Sequence, residues 1–367
     1  MAQANRCFFY RFSRVKWHFI KHFFVAESFC HQTHNVQSLS DAKHKGLTRG
    51  DSLYFWGKKI DGHLLSWARQ HSIQVFFVED GFIRSLGLGS ALSRPLSVVM
   101  DSRGIYFDPT GPSDLEWILE HQNFSDTQLN QAHRLIGQIE ALKLSKYNHQ
   151  ADPSDLQIYA EPNQSVILVP GQVDDDMSVK FGGFGLNNME LLAQVRGKQP
   201  DAYIIYKPHP DVLSKNRRGD VAEAIPLQWA DQVIKDAGID TVLAQVDQVH
   251  TITSQVGFDA LIRGIEVHTY GLPFYAGWGL TIDQRQSERR TRALTLEALV
   301  AASLLIYPHY VHPETCEPCS AFEAVDWLAQ QKNQLQSRFW KRHWLKIKGL
   351  VFPQIRNALK RLRQPLR

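Results

Sequence analysis

Apolar and polar positions along this chain fall into short runs with two different periods. "SLYFWG" (52–57), "IQVFFVED" (73–80), "SVILVPG" (165–171), "AYIIYKP" (202–208), "VHTITS" (249–254) and "EVHTYG" (266–271) are mostly apolar and end in polar or turn residues. That pattern predicts strands buried on both faces of a sheet. Helical periodicity occupies "GHLLSWARQH" (62–71), "SDLEWILEH" (113–121), residues 125–144, and segments near 187–197, 256–263 and 295–305. Ser113 with Glu116, and Ser125 with Gln128, have the spacing of capping boxes. "LSVVMD" (96–101) and "GIYF" (104–107) read as a hairpin. Strands alternating with helices predict an α/β protein with mainly parallel sheets. The polar segment 148–164, with two prolines, is the best linker. Two α/β domains follow, with a cleft at the C-terminal ends of their strands.

Length supports that division, since 367 residues are comfortable for two cores. The 43% hydrophobic and 21% charged content is ordinary for a folded soluble protein. No run of 18 apolar residues appears. The apolar N-terminus is broken by Arg11, Arg14, Lys16 and Lys21 and lacks a signal-peptide core, so a cytoplasmic protein is expected. Charge is unevenly spread. Residues 332–367 hold 11 basic side chains and no acid, and residues 1–26 hold five and no acid. With the chain at +4 overall, residues 27–331 are left at −12. An acidic body argues against a nucleic-acid partner. The basic ends carry Phe8, Phe9, Trp17, Phe19, Phe339, Trp340, Trp344 and Phe352. They read as surface-lying helices drawn to an anionic leaflet, or as solvated helices or docking arms for a protein. Of Cys7, Cys30, Cys316 and Cys319, the last two form "CEPC". No second close pair completes a zinc site, so reduced, structural thiols are expected and no metal.

The candidate chemistry gathers at strand ends. Glu79, Asp80, Arg84 and Ser85 follow the strand ending near residue 80. Asp174, Asp175, Asp176 and Ser178 follow 165–171, Lys207 and His209 close 202–208, and Ser254 and Gln255 open a helix after 249–254. Three adjacent aspartates can be a solvated turn, a helix cap, a metal site, a general base or a carboxylate nucleophile. Lys207, His209 and a hydroxyl at a helix N-terminus make an anion site. An anion site facing carboxylates across two α/β domains is the arrangement of a sugar-nucleotide transferase. "GGFG" (182–185) lacks the spacing of a nucleotide fingerprint.

"EDGFIRSLGLG", "DSRGIYFDPTGPSDLE", "LSKYN", "VPGQVDDDMS", "YKPHPDV", "TSQVGFDALIRG", "YGLPFYAGWGLT" and "LTLEALVAASLLIYPHYVHPETCEPC" resemble, in that order, the KpsC-type capsule polysaccharide proteins. These are bacterial retaining β-Kdo glycosyltransferases. The single module here is more similar to the second of their two modules. The resemblance implies a GT-B-like fold of two Rossmann-like domains, with an N-terminal extension over 1–50 and an acceptor-side domain over 51–160. A CMP-sugar-binding domain over 161–294, C-terminal helices over 295–331 and a basic amphipathic tail over 332–367 would follow. The helices of 295–331 would pack back onto the first domain. It implies CMP-β-Kdo as donor, a Kdo-bearing lipid acceptor, no cofactor or metal, and residence at the inner face of the cytoplasmic membrane beside other capsule biosynthesis or export proteins. Asp176 would be the nucleophile, oriented by Asp175 or Asp174. Glu79, or else Asp80, would deprotonate the acceptor. Lys207, His209, Ser254, Gln255 and Ser178 would hold the donor. Met177 stands where the family carries a small residue. Alternatives are transfer of another CMP-linked acidic sugar, as in sialyltransferases, and a non-catalytic assembly or export factor.

Overall fold

The apolar strands build two separate six-stranded sheets in a computed structural model that describes residues 6–26, 30–85, 94–145, 156–213 and 225–337. The first domain runs β1 (Arg6–Tyr10), α1 (Arg14–Ala26), β2 (Gln32–Val36), α2 (Leu39–His44), β3 (Ser52–Trp56), α3 (Gly62–Gln70), β4 (Gln74–Asp80), β5 (Ser97–Asp101), α4 (Asp114–His121) and α5 (Asp126–Ala141). The second begins with β6 (Val166–Pro170), α6 (Met177–Gly182), α7 (Asn188–Lys198), β7 (Tyr203–Lys207), α8 (Pro210–Leu213) and β8 (Gln232–Val233). It continues with α9 (Ile239–Leu243), β9 (Gln248–Thr251), α10 (Gln255–Ile262), β10 (Glu266–Thr269) and β11 (Ile282–Asp283). The chain then returns through α11 (Leu296–Val300), a π-helical turn (Ala301–Ile306), β12 (Pro308–Tyr310) and α12 (Ala321–Ser337).

The second sheet, ordered β11-β10-β9-β6-β7-β8, is parallel throughout. The first, ordered β12-β5-β4-β3-β1-β2, is parallel from β4 to β2 and antiparallel at β5 and β12. Two Rossmann-like domains with a cleft between them form a GT-B-like α/β fold. Among the described residues no helix is long and apolar enough to cross a membrane.

Four expectations change. Residues 1–50 are not an appended arm, because β1 lies inside the first sheet with Phe8 and Phe9 fully buried. Phe9, Phe12, Ile20, Phe23 and Phe24 form one core with Tyr54, Trp56 and Val78. Arg6 does not break this strand, because its guanidinium reaches Asp51 at 2.7 Å. "GIYF" makes no strand; β12 takes the place beside β5, so residues 295–331 contain a strand as well as helices. Cys7 and Cys30 are not free thiols but a disulfide with Cα atoms 5.7 Å apart, while Cys316 and Cys319 are unbridged. Glu116 does not close a capping box at α4. Ser113 still caps its backbone, but the Glu116 carboxylate turns to Arg289 and Arg290. Of the linker only residues 156–164 are described, and the basic tail beyond Ser337 lies outside the described residues.

Candidate active site

The acidic loop leaves the second sheet where β6 ends. Gly171 is required there, since a Cβ would stand 2.5 Å from the Tyr206 hydroxyl oxygen. Asp174 and Asp175 are exposed, and Asp176 is half-buried as the N-cap of α6. Asp176 Oδ1 accepts hydrogen bonds from the Ser178 amide (2.9 Å) and hydroxyl (2.8 Å). Ser178 Oγ accepts from Thr253 Oγ1 at 3.3 Å, which accepts from Gln172 Nε2 at 3.0 Å. The Thr253 amide in turn donates to Gln172 Oε1 at 2.9 Å. All the donors in this relay run one way and end on the carboxylate, so each link polarises the next. Asn188 fixes the other side. It accepts from the Gln172 amide and donates to Asp174 Oδ1 at 3.1 Å. Burial and then the charge of Asp175 raise the Asp174 carboxyl above its ordinary value.

The anion-site residues divide. His209 Nδ1 accepts the Asp211 amide at 3.1 Å, so the ring proton belongs on Nε2. Ser254 caps α10 by accepting from the Val256 amide, and its carbonyl takes the Tyr275 hydroxyl at 2.5 Å. Lys207 is not in this group. The strand period of two puts it on the same face as Tyr203 and Ile205, and its buried ammonium donates to the Ala237 carbonyl at 2.6 Å. Burial lowers its pKa to about 8, against the pull of Asp236. Gln255 is also redirected: its amide donates to the Phe82 carbonyl of the first domain at 2.8 Å and joins the two halves. In "GGFG", a Cβ on Gly182 would crowd Thr253 Cγ2 at 3.1 Å, and Phe184 is exposed.

In the first domain, Glu79 and Asp80 end β4. Glu79 Oε1 accepts the Asp80 amide at 3.0 Å, and Asp80 Oδ2 pairs with the buried Arg84 at 2.6 Å. Arg84 also donates to Ser85 Oγ at 2.8 Å. Lys58 pairs with Asp108, and its ammonium lies 5.4 Å from the ring of Phe181 on α6. A first-domain residue therefore touches the helix that Asp176 caps. Burial alone would raise the Asp108 carboxyl, yet hydrogen bonds from Lys58 and Thr110 bring it below its usual value. Gln172, Asn188 and Lys58 escape the sequence reading. Gln172 and Thr253 adjoin residues it selects, but no spacing links positions 81 apart.

Residues 51–311 match the family described as "Capsule polysaccharide biosynthesis protein". The chain is 47% identical over 279 residues to the capsule polysaccharide modification protein LipA of Neisseria meningitidis serogroup B, covering 76% of this chain and 39% of LipA. It is 38% identical over 287 residues to the lipopolysaccharide-processing protein LpsZ of Rhizobium meliloti, covering 76% of this chain and 64% of LpsZ. It thus spans less than two thirds of either relative. Among solved structures it is similar to Thermosulfurimonas dismutans KpsC, beta Kdo 2,7 transferase, with TM-score 0.72, 36% identity and 89% of this chain and 100% of that one covered. The beta Kdo 2,4 transferase structure from the same organism's KpsC gives TM-score 0.73 and 32% identity, covering 88% and 97%. The acidic loop, the His-Pro segment and the Ser-capped helix, which follow the parallel strands β6, β7 and β9 of one sheet, thus occur in a chain that belongs to the capsule polysaccharide biosynthesis protein family.

Proposed function

We propose that the chain is a β-Kdo glycosyltransferase that uses CMP-β-Kdo and acts with retention on a Kdo-bearing lipid in capsule biosynthesis. The observation that carries this reading is the one-way relay from Gln172 through Thr253 and Ser178 to Asp176. A carboxylate that receives such donors is held in one orientation, as a nucleophile requires. In the first step Asp176 attacks the anomeric carbon, the bond to the phosphate oxygen breaks, and CMP leaves with that electron pair. The His209 Nε2 proton and the N-terminus of α10 at Ser254 receive the leaving phosphate. In the second step the acceptor hydroxyl gives its proton to Glu79 and attacks the same carbon, releasing Asp176. Two inversions give net retention.

Both Kdo transferase structures share this fold over nearly the whole described chain, which supports the sugar class. A lipid acceptor requires work at the inner membrane surface, and the basic sequence 332–367 suits that surface. The test is incubation with CMP-β-Kdo and a synthetic Kdo-terminated lipid analogue, with the product's anomeric configuration read by NMR. A β-linked Kdo product is expected. Absence of product, or an α-linked one, overturns the reading.

A further inference from the structure

The acid pair of the first domain has a cationic neighbour from outside the matched segment. Lys16 lies on α1, upstream of residues 51–311. Burial of Ile20, Phe23 and Phe24 lays α1 against the sheet and seats the half-buried Lys16 ammonium on the ring of Trp56. Trp56 ends β3 and pairs with Val78 on β4. The next residue, Gly57, leaves room that the Glu79 carboxylate fills; a Cβ there would stand 2.9 Å from Glu79 Oε2. Adjacent residues at one strand end thus carry the ammonium and the carboxylate.

The charged groups around the pair come from four elements. They are Lys16 on α1, Lys58 and Lys59 after β3, Arg84 after β4, and Asp108 before α4. Arg84 is committed to Asp80 and Lys58 to Asp108, whereas Lys16 rests on an aromatic ring.

We propose that Lys16 is a positioning residue for the acid pair: its charge, anchored on Trp56, keeps Glu79 and Asp80 ionised, so that one of them can take the acceptor's proton. The inference rests on the transfer reaction proposed above. Burial pulls the Lys16 ammonium down to about 8, while Asp80 and Glu79 oppose that fall and Lys59 and Arg84 add to it. Its charge is therefore present through neutral pH and fades above about pH 8.

The experiment measures kcat/KM from pH 4.5 to 9 for the wild type, Lys16→Met and Lys16→Arg, using CMP-β-Kdo and a soluble Kdo-terminated acceptor. Removing a cation raises a carboxylate's proton affinity. The acid limb of Lys16→Met should therefore move up by about one pH unit, a loss that approaches tenfold only below both limbs. The two curves should converge above pH 8, and Lys16→Arg should restore the limb. An unmoved limb overturns the inference, whether or not acceptor KM rises, and so does an Arg variant that behaves like Met. If Lys16→Met does not fold, Lys16→Gln is read in its place. A wild type that transfers no Kdo overturns the functional reading itself, and that result is seen before any variant is assayed.

Discussion

Asp176 does two jobs that a substitution can separate. Its carboxylate caps α6, and in the proposed reaction it attacks the donor. Asparagine caps a helix as well as aspartate does, while alanine loses about 1 kcal/mol. Asp176→Asn is therefore expected to melt like the wild type yet lose transfer on the order of 10⁴-fold, as removal of a nucleophile does. Product assays beside thermal melts check this, and normal turnover would remove Asp176 from the chemistry. His209 and Lys207 make a second contrast. His209→Ala should weaken CMP binding by about 10- to 100-fold, the range for a hydrogen bond to a charged group. Lys207→Met should leave CMP affinity unchanged, because its ammonium is spent on the Ala237 carbonyl. Calorimetry with CMP distinguishes the two.

Lys207 also gives a pH dependence with a defined sign. Its folded pKa of about 8 lies below the value near 10.4 of an unfolded lysine. Below pH 8 both states hold the proton, and the full cost of burying the charge is present. Between about pH 8 and 10 the folded state has released it and the unfolded state has not, so stability rises by roughly 2–3 kcal/mol. Melts of wild type and Lys207→Met should diverge over that window, and parallel curves would contradict the burial of the charge.

At the level of elements, the strand ends were legible because apolar runs stop abruptly at polar residues. β4, β6, β7 and β9 carry that signal, and each predicted polar cluster falls beside one of them. What the sequence hid were directions. Whether Lys207 faces the cleft or the core depends on strand register against its neighbours. Gln255 turns toward Phe82 only because a second domain is there. β1 was hidden for another reason: Arg6 and Arg11 bracket its apolar residues, and basic flanks around aromatics read equally well as a surface helix. Pairing with Val36 and Tyr54 strands on either side turns that run into core.

The start of α10 depends on a close approach. A Cβ on Gly257 would stand 2.2 Å from the Tyr275 hydroxyl oxygen, which bonds the Ser254 carbonyl. Gly257→Ala should displace Tyr275, cost about 1–3 kcal/mol of stability through overpacking, and weaken CMP binding by moving Ser254. Urea unfolding and CMP calorimetry on the same sample check both, and unchanged affinity would show that the cap does not serve the donor.

Over the whole molecule, four consecutive residues clasp the halves together. Arg289 and Arg290 share the buried Glu116 at 2.6 and 2.9 Å, Thr291 meets Glu120, and Arg292 donates to the Gln122 carbonyl at 2.6 Å. Arg290 is buried and also donates to the Pro273 and Ala276 carbonyls. Glu116→Ala would leave a buried guanidinium without its counter-charge, so a loss of about 3–5 kcal/mol is expected in urea unfolding. A loss under 1 kcal/mol would show the clasp to be peripheral.

The antiparallel strand β12 has a consequence for how the protein is made. A ribosome delivers the first domain's other five strands before any of the second sheet, but Pro308–Tyr310 emerges only after all of it. Until then β5 presents an unpaired edge, and α5 lacks the cover of the helices around residues 296–306. The half made first is thus finished last. The nascent chain must guard an open sheet edge while the second domain is synthesised, and a translation arrest in that interval would expose a surface prone to pairing with another copy.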